Sequence, residues 1–72
     1  MHWEDRFREL SAHQDGVIGI DQVPDIGCRY DHWRRAKASP RWTPLSRRVL
    51  QLRGAPPTER QRVIAALLDA GG

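Results

Sequence analysis

Cysteine occurs once in this 72-residue chain, as Cys28, so no disulfide can form within it and a stapled secreted scaffold is excluded. A reducing, cytoplasmic setting is the expectation. Long apolar runs are also missing: no stretch approaches the ~18 residues that a membrane-crossing helix requires. The opening Met-His-Trp-Glu-Asp has neither the basic start nor the apolar stretch of a signal peptide. No membrane partner is therefore expected. His2, His13 and His32 are scattered without ligand-like spacing, and one thiol cannot complete a structural zinc site, so no metal or other cofactor is expected. Internal repeats and low-complexity tracts are absent too.

Size sets the next limit. A chain this short forms one domain over residues 1–72 and buries only ~60% of the surface that its unfolded form exposes. Catalysis needs several groups converging in a pocket that excludes water, and so small a core argues against an enzyme.

What the sequence does have is an uneven charge. The total is +3, but residues 1–28 set Arg6 and Arg8 against six carboxylates, a net −4. Residues 29–53 set Arg29, Arg34, Arg35, Lys37, Arg41, Arg47, Arg48 and Arg53 against Asp31 alone, a net +7, and the remainder is neutral. A cationic block of this kind favours a polyanionic partner.

Apolar spacing outlines the elements. Trp3, Phe7 and Leu10 recur at helical intervals and predict a first helix over about 3–15, with Gly16 as its left-handed cap. Val17 and Ile18 read as a short extended piece that pairs with a later segment. A second helix is expected over about 20–26, burying Val23 and Ile26 and stopping at Gly27, with Pro24 as its weak point. A third is expected over about 29–38, resting on Trp33 and Ala36 and ended by Ser39-Pro40. Two short apolar runs within 41–52 suggest a hairpin with a basic tip, whose Pro44 belongs at a sheet edge. Thr58 with Gln61 forms a capping box opening a last helix over about 58–70, whose stripe Val63, Ile64, Leu67 and Leu68 is assigned to the core beside Trp42, Leu50 and Leu52. The order is that of a winged helix-turn-helix, a mainly α fold with a small β-hairpin.

The stretches "LSAHQDGVIG", "DIG", "YDHWRRAKAS" and "RWTPLSRRVLQL", and the final "AALLDAGG" after "PPT", resemble the N-terminal winged-helix domain of AbiEi-type antitoxins, transcriptional regulators of bacterial type IV toxin-antitoxin systems. Pro24, Arg29, Pro40, Arg48 and Leu50 depart from that family's pattern. The resemblance implies DNA binding and autoregulation. In that family a further domain follows and carries the antitoxic action, which the resemblance does not extend to this chain.

The functional expectation is double-stranded DNA. Arg29, Tyr30, Arg34 and Arg35 on the third helix are the candidate base readers, because arginine pairs bidentately with guanine in the major groove. Tyr30 and Asp31 have alternative roles, at a phosphate and in orienting an arginine. Lys37, Arg41, Arg47 and Arg48 are candidate phosphate contacts around the wing, and Arg53 a solubilising charge. The bland alternative for each is a solvated basic face. Aromatic faces among arginines also invite single-strand stacking, but Trp3 and Trp33 fall on core stripes, leaving Trp42 open. The competing class is a protein-interaction module that docks a partner or a second copy through the acidic N-terminal half or through the last helix, whose stripe is then partly exposed. A second copy on an inverted repeat would suit the DNA reading as well.

Overall fold

A computed structural model of the chain describes residues 2–71. Helix α1 (Trp3–Ala12) begins where the His2 imidazole Nδ1 accepts a hydrogen bond from the Glu4 N–H, satisfying one of the free donors of the first turn. It stops three residues short of the expected end. The chain reverses through positive φ at both Asp15 (54°) and Gly16 (89°), and the Gly16 N–H closes the turn on the Ser11 carbonyl at 2.7 Å. A Cβ on Gly16 would collide with the Ala55 methyl, so this turn needs glycine for space as well as for backbone angle.

Strand β1 (Val17–Gly19) pairs antiparallel with β3 (Val49–Leu52), and β2 (Trp42–Pro44) pairs antiparallel with the other side of β3, in the order β1-β3-β2. The expected hairpin is thus two thirds of a three-stranded sheet, and the fold is mixed α/β. Val17 and Ile18 find their later partner in Gln51 and Leu50. Pro44 lies on edge strand β2, where its missing N–H costs no ladder bond.

The helix expected over 20–26 does not form. Its place is taken by two 3-10 turns, Ile20–Gln22 and Pro24–Ile26, divided at Val23. Pro24 has no N–H to give to Ile20, and its ring would press on that carbonyl, so the α-helical ladder cannot run through. Val23 is still buried, and Gly27 at φ 73° ends the segment as expected. The Gln14 and Gln22 side-chain amides bond each other reciprocally at 3.0 and 2.7 Å, and Gln22 Oε1 accepts from the Gly19 N–H. Helix α2 (Tyr30–Ala38) and helix α3 (Glu59–Asp69) complete the chain; Arg29 and Thr58 are their caps rather than their first residues.

Strand alternation divides the interior in two. Ile18 and Leu50 face the main core of Phe7, Val23, Cys28, Trp33, Ala36 and Trp42, on which α1 and α2 pack. Val17, Val49 and Gln51 face the other way, toward α3. Gly19 lies on this second face, where a Cβ would meet the Leu68 side chain at 3.1 Å, so its bare backbone lets α3 come close.

None of the four residues in the expected C-terminal stripe is fully buried; Ile64 and Leu68 are half-buried. Val63 is 53% and Leu67 64% exposed, while Gln61 is 5% exposed. The Thr58 hydroxyl accepts from the Gln61 N–H at 3.0 Å, which is the expected first half of the capping box. The Gln61 side chain does not return the bond; it turns inward, donating to the Asp15 and Pro56 carbonyls and accepting from the Gln51 amide at 3.2 Å. Gln61 shares the inward side of α3 with the half-buried Ile64 and Leu68, which leaves Val63 and Leu67 facing outward. No helix among the described residues is long and apolar enough to cross a membrane.

Candidate nucleic-acid interface

Helix α2 is positioned from below. Trp33, 1% exposed, and Ala36 anchor it on the main core, and its cap is tied because the Arg29 N–H donates to His32 Nδ1 at 2.9 Å. The His32 ring stacks on Trp3, with centroids 5.3 Å apart and planes within 20°. With Trp33 and Ala36 pointing inward, the helical repeat turns Tyr30, Arg34 and Lys37 to one outward side and Asp31 and Arg35 to the other. All five are exposed, as is Arg29 just before them. Asp31, Arg34, Arg35 and Ala38 line a shallow groove. Among the described residues none of the cations of α2, nor Arg29, is held in an ion pair, nor does Asp31 clamp an arginine.

The phosphate contacts expected around the hairpin divide differently. Arg47 is exposed at the tip and unpaired among the described residues. Arg48, its neighbour, is half-buried: its guanidinium pairs with Asp21, its carbonyl accepts from the Ile20 N–H at 2.8 Å, and its Nε is buried without a partner. It is a strut between hairpin and 3-10 turn, which corrects its assignment as an open phosphate contact. Arg41 is exposed but lies 3.5 Å from Glu4, at the start of α1. The acidic N-terminal half thus neutralises two of the expected contacts.

The tip lacks glycine, asparagine and aspartate, and a serine shapes it instead. Ser46 Oγ accepts from the Arg48 N–H at 3.1 Å and donates to Asp69 Oδ1 at 2.6 Å, so α3 holds the loop that presents Arg47.

Arg53 is expected only as a solubilising charge, and Arg8 falls in the acidic half, 3.8 Å from Asp5. Both border one groove with Arg41, floored by Pro40 and Leu52. The Arg53 N–H donates to the Arg41 carbonyl at 2.8 Å, extending the register Trp42↔Leu52 by one pair. Sequence reasoning could have found this pair, because any hairpin joining Trp42 to Leu52 sets residues 41 and 53 opposite each other. Arg8 had no such signal, since only α1 packing brings it there.

Trp42 is buried at 2% exposure, which answers the question left open for it, and Trp3 is engaged with His2, Phe7 and His32. Neither offers a free face to a nucleobase. Cys28 is buried with its Sγ 3.8 Å from the Ile26 carbonyl. No protein-family model, curated protein or solved structure matches the chain.

Proposed function

We propose that the protein binds double-stranded DNA as a winged helix-turn-helix transcriptional regulator of the antitoxin type. The turns at 20–26, the Gly27 corner and α2 serve as the reading motif, and the β2–β3 hairpin serves as the wing. The observation that carries this reading is the outward face of α2. Arg34, Arg35 and Lys37 stand exposed and, among the described residues, unpaired on a helix whose orientation Trp33 fixes, while Glu4 and Asp21 pair with Arg41 and Arg48. A helix with a rigid apolar underside and free arginines on top has the charge and hydrogen-bonding capacity that the major groove accepts. Arg29, Tyr30, Arg34 and Arg35 read bases. Lys37, Arg47 and Arg53, none of them in an ion pair among the described residues, hold phosphates.

The test is a gel shift on duplex DNA from upstream of the protein's own gene, run across a salt series. Affinity should fall steeply with salt, by close to one logarithmic unit per logarithm of salt for each phosphate held. Arg34→Ala with Arg35→Ala should flatten sequence preference, whereas Arg47→Ala should weaken all sequences alike. No shift at low salt would end the proposal.

A further inference from the structure

Helix α3 half-buries Ile64 and Leu68 but turns a second set of apolar residues outward. Val63, Ala66, Leu67 and Ala70 are all exposed and recur at intervals of three, four and seven, which gathers them into one outward stripe. Leu45, 47% exposed on the hairpin, lines a shallow groove with Ala65, Ala66 and Asp69 and widens the patch. The packing of α2, on β2 and α1, uses none of this surface.

Charge identifies what covers the stripe. Arg62 and Asp69 lie seven residues apart on the same flank of it, opposite in sign and both exposed, and Arg62 has no ion-pair partner among the described residues. When two such helices lie antiparallel, each flank meets the same flank of the other, read in reverse. Arg62 then meets Asp69 of the second copy, and Asp69 meets its Arg62. In a parallel pair this flank would instead face the side that carries Leu67, and both charges would go unanswered. The alanines at 66 and 70 permit close approach.

We propose that α3 pairs with α3 of a second copy of this chain, antiparallel about a two-fold axis, with two reciprocal Arg62–Asp69 contacts setting the polarity. A two-fold interface is self-complementary, and the Arg62–Asp69 flank satisfies that requirement by itself. An 11-residue helix is only ~16 Å long, so the buried area falls short of the ~1,200 Å² of a durable interface. The pairing is accordingly weak, with Kd on the order of 10 µM to 1 mM. It stands apart from the DNA reading and is measured without DNA.

Sedimentation equilibrium of the 72-residue chain up to about 1 mM, in low salt, reads it directly. Arg62→Asp and Asp69→Arg, each alone, set like charges against each other twice and should weaken the dimer by about tenfold or more. The double swap, Arg62→Asp with Asp69→Arg, restores opposite charges in reversed order and should return the constant to within about threefold of the unmodified chain. Asp69 also accepts from Ser46, so Ser46→Ala controls for loss of that bond; it should leave association unchanged, and circular dichroism should show every variant folded. A monomer at every concentration, indifference to the single swaps, or a folded double swap that fails to pair would each overturn the proposal.

Discussion

Helices α2 and α3 are of similar length and both lie across the sheet, yet they meet solvent with opposite chemistry. Helix α2 buries a tryptophan and an alanine and shows arginines; α3 buries a glutamine and shows valine and leucine. The difference lies in what each inward residue must satisfy. Below α2 is an aromatic core that only apolar surface can fill. Below α3 are the Asp15 and Pro56 carbonyls and the Gln51 amide, which need a polar partner more than α3 needs to hide Val63 and Leu67. A helix's hydrophobic stripe is therefore an incomplete guide to its orientation when backbone groups in reach lack partners.

The largest effect expected from this contrast is on stability. Trp33→Ala should cost about 3–5 kcal/mol in urea unfolding, a large share of what a domain of this size possesses, while Leu67→Gln should change stability by no more than about 0.5 kcal/mol. If Leu67→Gln proved as costly as Trp33→Ala, α3 would have to sit with its stripe inward. Next, Gln61→Leu should cost about 1–2 kcal/mol, although it adds apolar surface to a buried site, because it leaves three polar groups without their partner. A stabilised Gln61→Leu variant would remove the reason given for the orientation of α3.

On the DNA side, Arg34→Ala should cost about 1–3 kcal/mol in binding to a preferred duplex, measured by fluorescence anisotropy. Arg41→Ala should cost less, because Glu4 already answers that charge at 3.5 Å. The smallest effect is the converse one: Glu4→Gln should strengthen binding to any duplex by a few-fold at low salt, by releasing Arg41 to a phosphate. Were Arg41→Ala as damaging as Arg34→Ala, the division between free and neutralised cations would fall.

Local chemistry made much of the fold legible. The spacing of Trp3, Phe7 and Leu10, the Gly27 corner, the Ser39-Pro40 stop and the Thr58 cap all act within a few residues, so α1, α2 and α3 fall close to their expected places. The second helix failed for a local reason too, since Pro24 stands where an N–H was needed. The outward placement of the α2 cations followed from Trp33 and the helical repeat alone. The neighbours of Arg41, Arg48 and Arg8 were not legible, because Glu4, Asp21 and Arg41 lie 37, 27 and 33 residues away in sequence, in segments whose meeting no short window reports.

Sequence alone determined where the chain turns, where α1, α2 and α3 lie, and that residues 29–53 are cationic, because propensity, capping and charge are properties of neighbours. Tertiary structure decided which of those cations stay free and which way α3 faces. Both outcomes depend on distant groups, Glu4 and Asp21 for the arginines and the Asp15 and Pro56 carbonyls for Gln61, whose need for a partner exists only once folding has brought them within reach.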